Sequence, residues 1–316
     1  MPRLYRRRPN RDYLEQFILP IFTPINNTIN SLGSYEDDII NILAHRTVAQ
    51  RQAIERAYKE QYGEDIRQKL KSLLREDLEL VILWSFYDRA HLNAAALQKA
   101  MNATETDNDL LIHVICTADR DEIRPIKEAF QEMAGTRLVE AIESKCNGDF
   151  KRVLLAIVDG SREEDCDESQ ARADAKELFE AGEDKIGTDE STFIRMMCNR
   201  SFKQIQLIDK YYQELSGHDL ITVIEKELSG DVGKSLKLIV NYAKNKVATL
   251  SQMLNASLKG GETRSASVIR IVLAYAESDL ESIKAYFDET YEQSLAEMIG
   301  AEASGDYKHF LLDIVL

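Results

Sequence analysis

The side chains that most often carry out catalysis or bind metals are few and scattered in this chain. The five histidines form no His-Glu-x-x-His pair and the four cysteines form no Cys-x-x-Cys pair, so neither set predicts a zinc site. The segment from Gly230 to Ser235 resembles a phosphate-binding loop, but Leu228 stands where the first glycine of that motif belongs. We therefore expect no catalytic residues and no enzymatic activity. The histidines are His45, His91, His113, His218 and His309, and the cysteines are Cys116, Cys146, Cys166 and Cys198.

Carboxylates are the chemically active groups that the chain does hold in excess. It has 54 Asp and Glu against 40 Lys and Arg, a net charge of −14. A protein that binds nucleic acid must replace cations around phosphates, so this charge argues against a nucleic-acid partner. It argues equally against unaided binding to an anionic membrane. Such a contact would need a bridging cation.

Nothing in the sequence predicts a membrane-spanning segment. The longest wholly apolar run, residues 153–158, has six residues, whereas a span needs roughly 18. Asp12 and Glu15 interrupt what would have to be the apolar core of a signal peptide, and the cysteines are typical of reduced thiols, so we expect a cytoplasmic protein. The Arg-rich start, residues 3–11, is either a solvated tail or a docking segment for a protein partner.

The elements that position these groups are helices in four repeats. Only five Pro and 14 Gly occur in 316 residues, which favours long helices. Four segments share one pattern, and their first residues are 72, 82 and 75 positions apart. A second set of positions keeps the same three spacings, so two markers agree on the period. The segments begin at Ile54, Ile126, Ile208 and Ile283, and the second set is Glu76, Gly148, Gly230 and Gly305.

Local signals within the third repeat predict five short helices. The first ends near Gly182, and Thr188 is predicted to cap the second. Ser201 and Gln204 form a predicted capping box for the third helix, and Asp219 caps the fourth. The fifth begins after residues 229–231. The ten extra residues between repeats two and three, 160–169, are acidic and non-periodic, which predicts a linker.

The segment Ala181-Gly-Glu-Asp-Lys-Ile-Gly-Thr-Asp-Glu190, together with the fourfold repeat, resembles the annexin family over nearly the whole chain. The resemblance implies an all-α fold of four five-helix repeats, packed as a curved right-handed superhelical array. The predicted divisions are a basic tail (1–13), repeat 1 (14–88), repeat 2 (89–159), an acidic linker (160–169), repeat 3 (170–246) and repeat 4 (247–316).

The resemblance also implies a calcium cofactor. In an annexin-type site, carbonyls of the loop between the first two helices and a carboxylate about 40 residues later bind Ca²⁺. A hard cation takes six to eight oxygens, so positions stay open for a phospholipid headgroup. In repeat three the resemblance assigns the carbonyls of Gly182, Lys185 and Gly187 with the carboxylate of Glu227. Ile186, at the loop tip, is either a membrane contact or folded onto its own repeat.

The other repeats depart from this pattern. Repeat four offers the carbonyls of Leu258, Gly260 and Glu262 with the carboxylate of Glu302, although Glu262 replaces a glycine of the family. Leu73 in repeat one and Lys145 in repeat two stand where the carboxylate should be, so we expect those sites to be inactive. The acidic residues 36–38 either hold a weaker ion or form a solvated helix start.

The sequence therefore favours calcium-dependent binding to anionic phospholipid membranes, such as those containing phosphatidylserine, through repeat three with repeat four assisting. The alternative is a calcium-independent scaffold or cytoskeletal adaptor that keeps the annexin fold for protein contacts.

Overall fold

The computed structural model describes residues 36–160, 162–182, 188–260 and 264–316. Over these ranges the protein is all-α, with 19 helices and no strand. The helices are α1 (Glu36–Leu43), α2 (Val48–Tyr62), α3 (Ile66–Leu73), α4 (Glu76–Ser85), α5 (Arg89–Asn102), α6 (Asn108–Ile115), α7 (Arg120–Ala134), α8 (Leu138–Lys145), α9 (Gly148–Val158), α10 (Glu168–Ala181), α11 (Glu190–Asn199), α12 (Phe202–Ser216), α13 (Leu220–Glu227), α14 (Gly230–Lys244), α15 (Lys246–Lys259), α16 (Ser265–Tyr275), α17 (Leu280–Tyr291), α18 (Leu295–Glu302) and α19 (Gly305–Val315).

Helices α5–α9, α10–α14 and α15–α19 form three successive sets of five, and α1–α4 are the described helices of the first set. The chain divides into two compact units. One holds the described residues up to Asp88 together with Ala256–Leu316, and the other is Arg89–Asn255. The five helices predicted for the third repeat are confirmed as α10–α14.

The repeat positions found in the sequence are structural. The isoleucine and the aromatic residue that open each segment are at most 2% exposed in all four repeats, so they form the core of each one. The core pairs are Ile54 and Tyr58, Ile126 and Phe130, Ile208 and Tyr212, and Ile283 and Phe287.

Two sets of equivalent positions require left-handed backbone. The residue that begins the fifth helix of a repeat has φ between 54° and 62°, and the residue that ends the third has φ between 52° and 81°. Glycine fills three of four positions in each set, because it adopts positive φ without steric cost. Glu76 and Glu292 are the exceptions.

The acidic segment before α10 is held within its own unit. Arg162 is buried, donates a hydrogen bond to the Arg200 carbonyl at 2.6 Å and stacks 4.5 Å above the Phe202 ring. Arg200 in turn forms ion pairs with Glu163 at 2.5 Å and with the buried Asp174 at 2.6 Å. These contacts fix the segment against α10–α12 despite its lack of apolar periodicity.

Several smaller predictions concern side chains of the core. Trp84, in the apolar run of residues 80–84, is 5% exposed and belongs to the core. Cys116, Cys146 and Cys198 are buried free thiols, and burial raises the pKa of Cys198 to about 12. Among the described residues, no helix combines the length and the apolar character that a membrane span requires.

Candidate functional site

The repeat-three site is built at the carboxyl end of α10. Gly182 ends this helix, and its N–H donates to the Leu178 carbonyl at 3.0 Å. Seven residues later, the Asp189 N–H donates a hydrogen bond to the Ala181 carbonyl at 2.9 Å. This bond holds the two ends of the intervening segment together. A Cβ on Gly182 would lie 3.2 Å from the Phe193 ring, so a glycine fits this close approach best.

Glu227 is the last residue of α13, and the structure places its carboxylate beside the end of that loop. The Thr188 hydroxyl donates a hydrogen bond to Glu227 Oε2 at 2.5 Å, and Lys226 Nζ lies 3.3 Å from Oε1. The bond from Thr188 is the main reason that the pKa of the Glu227 carboxyl is lowered, and Lys226 acts in the same direction. The carboxylate is therefore ionised at neutral pH and stays partly exposed, with 20% of its side-chain surface accessible.

The electrostatics of this corner favour a cation. The last carbonyls of a helix lack partners within the helix, and they give its carboxyl end a partial negative charge. Glu227 adds its negative charge at the carboxyl end of α13, and Lys226 Nζ lies 3.3 Å from its Oε1. A further cation next to these oxygens would therefore be favourable.

The described residues contain part of the predicted repeat-three site. The structure brings Glu227 to the base of the loop that Gly182 begins. Lys185, Ile186 and Gly187 lie outside the described residues. The placement of their carbonyls and of the Ile186 side chain therefore stays a prediction.

Two capping predictions in this repeat are corrected. Asp189, not Thr188, caps α11, because its carboxylate accepts from the Ser191 N–H at 3.2 Å. Thr188 is instead turned toward Glu227. Ser201 does cap α12 by accepting from the Gln204 N–H, but the Gln204 side chain bonds the backbone of Asp167 instead of completing the capping box.

The described residues predicted for the repeat-four site lie at the ends of α15 and α18. Leu258 lies in the last turn of α15, Gly260 directly follows that helix, and Glu302 is the last residue of α18. Leu258 and Glu302 both line one cavity of about 490 Å³. Leu73, the repeat-one residue at the carboxylate position, lines the same cavity. Glu262 lies outside the described residues.

An arginine distinguishes the repeat-four loop. Arg264 precedes α16 at the position that Asp189 occupies before α11, and it makes no side-chain capping bond. Its Nε lies 2.9 Å from the point where a Cβ of Gly260 would sit. The positive charge of Arg264 beside Gly260, whose carbonyl is a predicted donor, disfavours a cation there.

The carboxylate position is the last residue of the fourth helix in every repeat. Leu73 ends α3 and Lys145 ends α8, as Glu227 and Glu302 end their helices. A lysine at a helix carboxyl end is favourable for the helix itself, so Lys145 needs no ion.

Sequence reasoning missed the roles of Thr188 and Arg264. Comparison of the loops position by position contains the signal for Arg264, because Asp107 and Asp189 cap the second helix in repeats two and three and Arg264 replaces them. No local signal indicates the bond from Thr188 to Glu227, which spans 39 residues.

Comparison with known proteins identifies the family. The annexin family model matches residues 25–84, 93–157, 173–239 and 250–314. Mouse Annexin A13 is 37% identical over 287 residues, which cover 90% of each chain. Human Annexin A7 is 35% identical over 293 residues, which cover 92% of this chain and 60% of that protein.

Solved structures agree. Annexin III superposes with a TM-score of 0.88 at 34% identity, over 94% of this chain and 92% of that chain. A calcium-bound annexin (Sm)1 superposes with a TM-score of 0.81 at 26% identity, over 94% of this chain and 89% of that chain. With four matched repeats and the same all-α fold, this chain belongs to the annexin family.

Proposed function

We propose that this protein binds anionic phospholipid membranes peripherally and in a calcium-dependent manner, mainly through repeat three with repeat four assisting. Its family is known for calcium-dependent phospholipid binding. The observation that carries the proposal is the ionised carboxylate of Glu227, which lies at a helix carboxyl end and is bonded to Thr188 at the foot of the loop.

The donor set fits calcium in its chemistry. The repeat-three donors would be the carbonyls of Gly182, Lys185 and Gly187 with the carboxylate of Glu227, which are all oxygens. Thr188 would orient that carboxylate. A calcium-bound relative, annexin (Sm)1, shares the fold. In repeat four the donors would be the carbonyls of Leu258, Gly260 and Glu262 with the carboxylate of Glu302.

The mechanism follows from the charge of the two partners. A chain of net charge −14 and an anionic bilayer repel each other. A calcium ion held by loop carbonyls and one carboxylate keeps coordination positions open, and a phosphate or carboxylate of a lipid headgroup can fill them. The ion thereby joins two negatively charged bodies. The role of this chain is to orient the oxygens and to keep Glu227 ionised.

Ile186 would add an apolar contact with the bilayer interface. Burying such a side chain contributes about 1.5–3 kcal/mol. We expect Ile186→Asp to weaken liposome binding without changing the calcium-free melting temperature. Unchanged liposome binding would remove Ile186 from the contact.

A scaffold function is the second candidate, and specific residues favour it. In repeats one and two, the position of the calcium-binding carboxylate is taken by Leu73 and Lys145. In repeat four, Arg264 adds a positive charge before α16. None of these three residues supports a bound cation. Repeats one and two would then serve protein contacts.

Three further expectations also stay proposals. They are the division into tail, four repeats and linker, a protein partner for the Arg-rich tail, and a cytoplasmic location.

Co-sedimentation with phosphatidylserine liposomes, in calcium and in chelator, tests the proposal. We expect the protein to pellet only with calcium and Glu227→Gln to need far more of it. Glu225→Gln is the matched control, because Glu225 lies on the same helix but pairs with Lys237. No calcium-dependent pelleting would leave the scaffold function. Equal behaviour of the two variants would place the main site elsewhere.

A further inference from the structure

A group of three possible metal-ligating side chains lies between α1 and α19. Asp37, Asp306 and His309 each offer one ligand atom, and these atoms all lie within 4.8 Å of one another. The described residues contain no other group of three His, Cys, Asp or Glu that meets this geometry. The group shares no residue with the predicted calcium sites of repeats three and four, and Asp37 is one of the acidic residues 36–38 at the start of α1.

The known distances within the group can be compared with those of a metal site. Asp306 and His309 are three residues apart on α19, so they share one face of the helix. His309 Nδ1 and Asp306 Oδ1 are 3.7 Å apart. In a tetrahedral site with metal–ligand bonds of roughly 2.1 Å, neighbouring ligand atoms are about 3.4 Å apart. Asp37 adds the third ligand atom from α1, within 4.8 Å of the other two.

The histidine decides which ion fits. Helix starts attract acidic residues, which accounts for Asp37 and Asp306 in the first turns of α1 and α19. That preference does not account for His309. Calcium takes oxygen ligands, whereas zinc and cobalt accept an imidazole nitrogen beside carboxylates. Three protein ligands and one open position are typical of an accessible zinc site.

We propose that Asp37, Asp306 and His309 bind a divalent ion of the zinc class, Zn²⁺ or Co²⁺, with a fourth position open. The open position would be accessible, because the side chains of Asp306 and His309 are 42% and 59% exposed. Asp306 also lines the cavity of about 490 Å³ that Glu36 borders. The bound ion would join α1 to α19 within one unit. This proposal does not depend on the calcium function.

Calorimetric titration of the full chain with Zn²⁺, in buffer saturated with Ca²⁺, tests the site. We expect Asp306→Asn and His309→Gln each to weaken the tightest Zn²⁺ binding by about 10-fold or more. We also expect Zn²⁺ to raise the melting temperature of the wild type but not of these variants. Excess Ca²⁺ should not displace the ion.

His45→Gln is the matched control. His45 Nε2 lies 3.8 Å from Oδ2 of Asp313, a residue of α19 like Asp306 and His309. Among the described residues, this His–Asp pair has no third metal ligand near it. Its loss should leave Zn²⁺ affinity unchanged. Equal Zn²⁺ affinity in the wild type and in His309→Gln, or displacement by Ca²⁺, would overturn the proposal. If a variant of α19 lost its fold, Asp37→Asn on α1 would give the same test from the other helix.

Discussion

Repeats three and four carry a glutamate at the same place, the last residue of the fourth helix, but the loops that would complete their sites differ. In repeat three, Thr188 bonds Glu227 and Asp189 caps the next helix. In repeat four, Arg264 takes the place of the capping aspartate, and its side chain lies beside Gly260. We therefore expect the repeat-four site to bind calcium more weakly than the repeat-three site, although both have the carboxylate. The residue directly after the loop is negatively charged in repeat three, where it is Asp189, and positively charged in repeat four, where it is Arg264.

The largest expected effect separates the two carboxylates. In liposome titrations we expect Glu227→Gln to raise the half-maximal calcium concentration about 10-fold or more, and Glu302→Gln only about threefold, because removal of a charged ligand weakens a calcium site. With calcium present, the Glu227→Gln, Glu302→Gln double variant should pellet no better than the wild type does in chelator. A larger effect from Glu302→Gln would reverse the ranking of the two repeats.

Arg264→Asp should improve the weaker site. In the Glu227→Gln background, where repeat four would carry the remaining binding, we expect the calcium requirement to fall about threefold, because a positive charge near the donors is replaced. The new cap on α16 should also stabilise the fold by about 1 kcal/mol. Arg264→Gln removes the charge without adding a carboxylate cap, so it separates the two effects. An unchanged calcium requirement in both variants would show that Arg264 does not weaken the site.

Thr188→Val tests how the stronger site is tuned. The pKa of Glu227 is lowered in the folded protein, so the associated stability is present above the ordinary carboxyl pKa and is lost as pH falls through the folded value. Removing the hydroxyl should raise that pKa. We expect the variant to lose calcium-dependent pelleting at a higher pH than wild type, and to need about twofold more calcium at pH 7. Identical pH profiles would exclude a role for Thr188.

A stability difference between the repeats gives the smallest effect. The third helix ends at Gly217 in repeat three and at Glu292 in repeat four, and both have positive φ. We expect Glu292→Gly to stabilise the protein by about 1 kcal/mol in chemical denaturation, and Gly217→Ala to destabilise it by a similar amount. Calcium-dependent pelleting should not change in either variant. A loss of stability in Glu292→Gly would mean that its side chain makes contacts worth more than the strain.

The fold could be predicted because its determinants recur along the chain. Two sets of positions recur in all four repeats with the same three spacings. They are the core positions that begin at Ile54 and the left-handed positions that begin at Glu76. Each repeat therefore supports the assignment of the others. The position of Glu227 follows from the same register.

The details of the sites could not be predicted, since they depend on contacts between residues far apart in sequence. The hydroxyl of Thr188 meets Glu227 only after α13 has packed beside the loop. Asp37 meets His309 only because α1 and α19 lie together. Capping errors such as Thr188 for Asp189 arise because neighbouring residues have similar capping propensities.

A crystal structure of the protein grown with Ca²⁺ tests the central claim most directly. We expect a calcium ion coordinated by Glu227 and by carbonyls of the loop that begins at Gly182, at higher occupancy than any ion at Glu302. Calcium bound at Glu302 with none at Glu227, or no calcium at either glutamate, would contradict the account.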